Sequence, residues 1–355
     1  YFDTQRNQLQ GGVLDRLRGD RFIQGSFREI FDYHPSAIKS GLGYAAPPVS
    51  TYLEALSDIV RLRQKARAAR GPVFFAYTGA SDSLAHLGGQ RLLRSFLARL
   101  DDTIADILRD GDGGRTRVTI FSDHGNHFRK YQRVSLKAAL RDAGFRLESH
   151  ILNDRSVVLP QFGLIGCAVL FTTEAGEAEL AKTAATVNGV DFAAYEKEGV
   201  VHINANNGMA IIEKRGERFR YRTVGGDPLE LISVLRLLTA QGKVDAEGFV
   251  ADADWFNATR DTTQPDTIKR VYEGATDHVR NRANVVLNFH DGYYTGNFTL
   301  DIFAILQATH GNLGREQSEG FVMSTERGLP SVLRAGEVWG AIGSPSPSKS
   351  ALAKH

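Results

Sequence analysis

Two Asp–His pairs are the residues of this sequence best suited to carry chemistry. Asp82 and His86 are four residues apart, so their side chains share a face if the segment is helical. Asp123 and His124 are adjacent. Carboxylate oxygen combined with neutral imidazole nitrogen suits Zn²⁺, Mn²⁺ or iron better than Mg²⁺ or Ca²⁺, which prefer oxygen alone. The pairs therefore indicate a transition-metal site, although either pair alone is also compatible with a capping or hydrogen-bonded role.

Each pair follows a short apolar run that predicts a buried strand. Residues 73–77 (Val-Phe-Phe-Ala-Tyr) precede the first pair, and residues 118–121 (Val-Thr-Ile-Phe) precede the second. In open α/β sheets, ligands bind beyond the carboxyl ends of the strands. We therefore expect both pairs to lie at that edge of a sheet.

Helical periodicity separates and follows these strands. A helix is predicted over 51–69, with Thr51 and Glu54 as a capping box, and a longer one has its apolar face over 92–108, ended by glycines at 111–114. A third is predicted over 135–143. Alternating strands and helices predict an α/β fold with a mostly parallel central sheet and helices on both faces.

The middle of the chain has a different pattern. Alternating apolar and polar residues over 185–225 predict antiparallel hairpins. We interpret them as a small β-rich insertion or cap, although strands that extend the main sheet would give the same pattern. The parallel pattern is expected to resume with the strand at 284–289. We predict one domain over 1–342 and a disordered tail over 343–355.

Composition excludes several classes of protein. The 43 basic and 41 acidic residues nearly cancel, so no footprint for duplex nucleic acid is indicated. The chain has one cysteine, Cys167, so no internal disulfide is possible. No apolar run is long enough for a membrane span. A small anionic substrate remains compatible with this balance; the oligomeric state and the compartment stay open.

Taken together, the two pairs resemble motifs of the alkaline phosphatase superfamily, in particular its type I phosphodiesterase/nucleotide pyrophosphatase branch. The family's Asp-x-x-Gly-His-x-x-Gly motif corresponds to residues 82–89, with Ala85 at the usual Gly position. Its Ser-Asp-His-Gly motif is present unaltered at 122–125, and a later Thr-His-Gly is found at 309–311.

The resemblance implies two divalent metal ions, Zn²⁺ first, with Mn²⁺ or iron as alternatives. Asp82, His86 and His310 would hold one metal, while Asp123 and His124 would help to hold the other. Family members also carry an amino-terminal strand with a metal-binding Asp, followed by a Thr or Ser nucleophile. Neither motif is recognisable here, since Asp3-Thr4 and Ser50-Thr51 lack the required setting, so both are expected upstream of Tyr1.

Three residues after the predicted strand at 284–289 could line a substrate pocket. They are His290, Asp291 and Tyr293. Their interpretation as ordinary loop residues is equally open.

The sequence therefore predicts metal-dependent hydrolysis of phosphate esters, by a phosphodiesterase or phosphatase acting on a small phosphorylated substrate. Within the superfamily, phosphonate hydrolase, sulfatase and phosphomutase are alternatives, because the metal ligands are shared. A non-catalytic, metal-binding module of the same fold is a further alternative. A third is an α/β domain in which the Asp–His pairs are structural.

Overall fold

The structure is a computed structural model of the whole chain. It describes residues 1–11, 31–35, 48–111, 115–161, 163–276, 281–296, 305–326 and 328–343. The predicted disordered tail lies outside the described residues from position 344 onward, as do positions 112–114 of the predicted glycine stop.

The elements follow one another along the chain in a mixed α/β order. They are β1 (Phe2–Asp3), β2 (Gln8–Leu9), α1 (Val49–Ala68), α2 (Ala80–Asp110), β3 (Thr119–Phe121), β4 (His127–Phe128), β5 (Gln132–Arg133), α3 (Leu136–Asp142), β6 (Arg146–Leu147), β7 (Ser156–Val157), β8 (Cys167–Leu170), α4 (Glu177–Ala185), β9 (Val190–Lys197), β10 (Val200–Ala205), β11 (Gly208–Arg215), β12 (Arg218–Gly226), α5 (Ile232–Ala240), β13 (Val250–Ala251), α6 (Asp252–Thr259), α7 (Thr267–Ala275), β14 (Val285–Phe289), β15 (Tyr293–Tyr294), β16 (Ala308–Thr309), α8 (Arg315–Ser318), β17 (Val322–Ser324), a 3₁₀ turn (Ala335–Glu337) and α9 (Val338–Ala341).

The described residues fall into two compact units. The first contains 1–11, 131–161, 163–276, 281–296 and 310–318. The second contains 31–35, 48–111, 115–130, 305–309, 319–326 and 328–343. The chain therefore passes from the second unit to the first between Thr309 and His310.

The first unit is built on a seven-stranded sheet with the order β13-β12-β11-β10-β9-β14-β8. Every neighbouring pair in this sheet is antiparallel. Strands β9 to β12 form a meander with short turns, as the alternating pattern over 185–225 predicts. These strands belong to the main sheet of the unit, so the structure has the alternative arrangement and not the separate insertion or cap that we predicted.

The predicted mostly parallel central sheet is not confirmed. Strand β14, which we expected to continue a parallel series, pairs antiparallel with both β9 and β8. Within the described residues, parallel pairing is limited to β15 with β5, β6 with β7, and a single bridge between Tyr33 and Ala76. A continuous apolar run indicates that a strand is buried on both faces. It does not indicate strand direction, because a strand can be buried in this way between parallel or antiparallel neighbours.

Helices cover both faces of this sheet. On β9, Ala193 belongs to a core that includes Leu180 of α4 and Leu140 of α3. The adjacent Ala194 belongs to a core on the opposite face that includes Trp255 of α6 and residues of α5 and α7. Because successive strand residues point to opposite faces, β9 contributes to both cores and is buried on each side.

The second unit contains the two long helices α1 and α2 and short strands that pair two by two, of which β16 is buried. Helix α1 packs on α2 through Ala55, Ile59, Leu84 and Phe96. Strand β3 pairs antiparallel with β17, and β4 pairs antiparallel with β16. The expected burial of the strand at 118–121 is not observed, since Phe121 is 42% exposed.

The prediction of a buried strand over 73–77 is wrong, because the segment is neither buried nor part of a ladder longer than one bridge. The segment is extended, but only Ala76 makes a ladder contact, the bridge to Tyr33, and Val73 is exposed. The apolar run instead packs partly through aromatic contacts, such as that of Phe75 with Trp339. An apolar run of this length fits an extended segment beside a single partner as well as a central strand.

The predicted helices are present with shifted ends. Helix α1 starts at Val49, two residues before the predicted capping box, and Thr51 is buried inside its first turn. Helix α2 starts at Ala80 and reaches Asp110, so it includes the Asp82 motif as well as the predicted apolar face. No described helix is long and apolar enough to cross a membrane.

Candidate metal centre

The amino-terminal turns of α2 bring Asp82 and His86 together. Asp82 lies in the first turn, and Nε2 of His86 is 3.2 Å from Oδ1 of Asp82. The helical geometry breaks at Gly89, whose φ of 69° and ψ of −178° are accessible essentially to glycine alone. The last glycine of the motif thus ends the short helical segment that carries both side chains.

His86 is held from behind by a backbone carbonyl. Its ring is buried, and its Nδ1 lies 2.7 Å from the carbonyl oxygen of Ala308. A carbonyl can only accept, so Nδ1 carries the hydrogen and Nε2 faces Asp82. The backbone carbonyl of His86 itself accepts a hydrogen bond from Gln307 N. Strand β16 and the residue before it therefore fix the orientation of the His86 ring.

Burial and the neighbouring carboxylate act in opposite directions on His86. Burial lowers its pKa, whereas the hydrogen bond and charge of Asp82, together with the Ala308 carbonyl, raise it, and the net pKa lies above the ordinary value. The same carboxylate that stabilises a proton on Nε2 would stabilise a cation in that place.

Asp123 and His124 follow β3 in an open loop. Nδ1 of His124 is 2.9 Å from the Gly125 carbonyl oxygen, so this ring also directs Nε2 away from its carbonyl partner. Nε2 of His124 lies 3.5 Å from Oδ1 of Asp123, whose side chain is 71% exposed. The second pair is therefore in contact, as the first is.

The two pairs approach each other within the second unit. A carboxylate oxygen of Asp82 and a ring nitrogen of His124 lie within 4.8 Å of each other, which is close enough for ligands of one ion or of neighbouring ions. Forty-two positions separate these residues in the chain, so the packing of α2 and the loop after β3 produces the approach.

Tyr77 is a neighbour of this cluster that the sequence analysis did not single out. Burial raises its pKa to about 12, and the charges of Asp123 and Asp82 act in the same direction. The Tyr77 hydroxyl also lies close to Gly79, since a Cβ atom at that position would be 3.4 Å from the hydroxyl oxygen. The position of Tyr77 at the end of the apolar run 73–77 is the signal that could have identified it.

The described residues suit a transition metal. Each of the two imidazoles donates one ring N–H to a backbone carbonyl, which is the usual support for a metal-binding histidine and leaves Nε2 for the ion. The carboxylate and imidazole donors together favour Zn²⁺ or Mn²⁺. In the loop that follows β3, Oδ1 of Asn126 is buried without a hydrogen-bond partner. An ion or a ligand could satisfy this oxygen.

His310 belongs to the first compact unit, whereas the other predicted ligands belong to the second. Thr309 is the last residue of β16 and pairs with His127 in the second unit, whereas His310 begins the 310–318 segment of the first unit. Within that unit its carbonyl accepts a hydrogen bond from Gly166 N at 2.7 Å. Gly311 follows with a φ of 103°, a conformation that favours glycine.

The predicted substrate residues lie in the first unit and make local contacts. Nδ1 of His290 is 3.4 Å from Oδ1 of Asp191, and His290 is more than half exposed. Asp291 accepts a hydrogen bond from Gln317 Nε2 at 3.0 Å. Tyr293 packs against the core around Leu180. Asp291 and Tyr293 thus have clear structural contacts, while His290 presents its ring to solvent.

The two weaker nucleophile candidates take part in local structure. Asp3 accepts hydrogen bonds from the backbone N–H groups of Gln5 and Arg6, and the Thr4 hydroxyl donates to Asn281. Ser50 and Thr51 lie in the first turn of α1.

Comparison with known proteins gives a limited result. No protein-family profile matches the chain, and no curated protein matches it significantly. A crystal structure of phosphonoacetate hydrolase from Sinorhizobium meliloti, in complex with phosphonoformate, is similar at 12% sequence identity with a TM-score of 0.41. The match covers 83% of this chain, and the chain spans 56% of that protein. A likeness at this TM-score does not establish a shared fold.

Proposed function

We propose that this chain binds divalent transition-metal ions and takes part in the metal-dependent hydrolysis of phosphate esters. One observation carries the proposal: Asp82 and His124, from two motifs far apart in the sequence, offer ligand atoms within 4.8 Å of each other. Structural pairs that merely cap a helix or a loop would not need to converge in this way.

The proposal divides the ligands between two ions. Asp82 and His86 would hold the first, and Asp123 and His124 the second. The resemblance to the alkaline phosphatase superfamily adds His310 to the first set of ligands. The approach of Asp82 to His124 would let the two sets of ligands hold neighbouring ions.

The chemistry follows from this donor set. Two bound ions would supply charge that neutralises a phosphoryl group and its leaving oxygen during an in-line displacement. The residues of the chain would hold and orient the ions: the Ala308 and Gly125 carbonyls fix the two imidazole tautomers, and Asp82 contributes negative charge beside His86. The proposed reaction also needs the Thr or Ser nucleophile of the alkaline phosphatase superfamily. Neither Asp3-Thr4 nor Ser50-Thr51 matches its motif.

Metal content and metal affinity test the proposal. Purified full chain, with the Asp82→Asn and His124→Ala variants, would be analysed by plasma mass spectrometry and titrated with Zn²⁺ and Mn²⁺ by calorimetry. His150→Ala is a matched control, because His150 is an exposed histidine in the first unit whose ring contacts Ser149. We expect stoichiometric metal in the wild type and the control, and loss of metal in both site variants.

Turnover then separates the alternatives. Bis(p-nitrophenyl) phosphate, p-nitrophenyl phosphate and phosphonoacetate would report diesterase, monoesterase and phosphonate hydrolase activity in metal-loaded protein. Metal binding without turnover of any ester would support a non-catalytic metal-binding module. A folded chain that binds no metal would contradict the proposal and favour structural Asp–His pairs.

A further inference from the structure

A buried carboxylate in α1 connects that helix to the start of α2. Asp58 is 2% exposed and lies on the same helix as the buried residues Ala55 and Ile59. Burial of a carboxylate is unfavourable unless hydrogen bonds replace its hydration. Its hydrogen-bond donors therefore indicate what Asp58 does.

Two hydroxyl groups donate to Asp58, one to each oxygen. The Tyr33 hydroxyl donates to Oδ1 and the Thr78 hydroxyl to Oδ2. Burial and Asp58 raise the pKa of Tyr33, so its phenol remains a donor. Tyr33 is itself fixed to the segment before α2, since its backbone exchanges hydrogen bonds with Phe75 and Tyr77 at 3.1 and 2.8 Å.

Thr78 passes this restraint on to the first turn of α2. Its hydroxyl oxygen accepts a hydrogen bond from Ala80 N at 3.2 Å, and Ala80 is the first residue of the helix. The first N–H groups of a helix have no partner within it. Gly79, at the N-cap, has no side chain that could serve. Because Asp58 takes the hydroxyl hydrogen of Thr78, the lone pairs of that oxygen remain directed to Ala80 N.

We propose that Asp58 is a positioning residue for the metal centre, acting through Thr78 to fix the first turn of α2 and hence the carboxylate of Asp82. Asp82 lies two residues beyond Ala80, in that same turn. The inference rests on the proposed function, since it assigns Asp58 a role in metal affinity beyond helix packing. Partners that hydrogen-bond a metal ligand directly typically contribute 10- to 100-fold to metal affinity, and Asp58 acts at a greater distance, through Thr78 and the backbone of Ala80, so its contribution should be smaller.

The test compares isosteric variants of the full chain by Zn²⁺ calorimetry. In Asp58→Asn one oxygen becomes an NH₂ group, so one of the two hydroxyls loses its acceptor. Thr78→Val removes the hydroxyl at nearly constant volume, and Thr78→Ser keeps it. We expect Zn²⁺ affinity to fall measurably, by up to about 10-fold, in Asp58→Asn and Thr78→Val, and to be retained in Thr78→Ser.

Two further proteins separate positioning from general stability. Ile59→Val, next to Asp58 on α1, trims a buried side chain without touching Thr78, so it should lower the melting temperature and leave Zn²⁺ affinity unchanged. The double variant Asp58→Asn/Thr78→Val should lose no more affinity than the weaker-binding single variant, because both changes break one chain of contacts.

The outcomes are distinct. Wild-type affinity in Asp58→Asn and Thr78→Val would overturn this inference and leave the metal site intact. An equal loss in Ile59→Val would also overturn it, because the effect would then follow stability. A wild-type chain that takes up no Zn²⁺ would overturn the proposed function and this inference with it.

Discussion

Nε2 of His86 lies 3.2 Å from Oδ1 of Asp82, one helical turn earlier in α2, while Nδ1 of the same ring is fixed by the Ala308 carbonyl. The imidazole is thus oriented on one side by backbone and faced on the other by a carboxylate.

Replacement of His86 by Gln should weaken Zn²⁺ binding by about 10-fold or more, because the nitrogen that faces Asp82 is lost. The measurement is competition with a chromogenic chelator at fixed pH. His150→Gln, at an exposed histidine in the first unit, is the control and should bind as the wild type does. Unchanged affinity in His86→Gln would remove His86 from the proposed ligand set.

Metal should stabilise the folded chain. A ligand that binds only the native state adds about 2.7 kcal/mol to the free energy of unfolding at a free concentration 100 times its Kd. We expect the melting temperature of the wild type to rise with added Zn²⁺, and chelator to reverse the rise. Asp82→Asn and His124→Ala should show little of this shift. An equal shift in both variants would assign the stabilisation to other surface groups.

A side chain at position 89 should destabilise the folded protein. Its φ of 69° and ψ of −178° lie in a region that other residues rarely adopt, so Gly89→Ala should cost about 1–3 kcal/mol of unfolding free energy. Urea unfolding followed by circular dichroism measures this cost. Gly274→Ala in α7 is the control, since nothing lies within 4 Å of the added methyl group and a helical position favours alanine. Equal stabilities for the two variants would contradict the strained geometry at Gly89.

Glu177 should make stability depend on pH. Burial raises its pKa above the ordinary value, against the opposing effects of Asn284 and Arg282. The folded state therefore holds this proton more tightly than the unfolded state does, and the resulting stability is lost as pH rises through the raised pKa. Glu177→Gln should consequently raise the melting temperature at pH 7, and the gain over wild type should shrink toward acidic pH.

The control for this experiment is Glu179→Gln on the same helix. Glu179 is exposed and pairs with Arg155 at the surface, so its replacement should leave the pH profile almost unchanged. A gain in Glu177→Gln that is the same at pH 4 and pH 7 would mean that titration of Glu177 is not its cause.

Local features of the fold could be read from the sequence because their causes are local. The apolar spacing of the residues in α1, α2 and α3 predicts helices there, and the structure has them. The alternation over 185–225 predicts the meander of β9 to β12. In contrast, the direction of strand pairing around β14 depends on which strands come to lie beside it, and its continuous apolar run does not encode that choice.

The same division applies to the candidate site. The spacing of Asp82 and His86 places both side chains on one face if the segment is helical, but the apolar periodicity predicts a helix only from 92 onward. Helix α2 meets this condition because it begins at Ala80. Tertiary packing determines which ring nitrogen of His86 carries the hydrogen, since the carbonyl that selects it belongs to a residue 222 positions away. The approach of His124 to Asp82 and the connection from Asp58 through Thr78 to α2 were decided in the same way. Contacts of this kind depend on how the elements pack, whereas motif spacing records only what lies within one element.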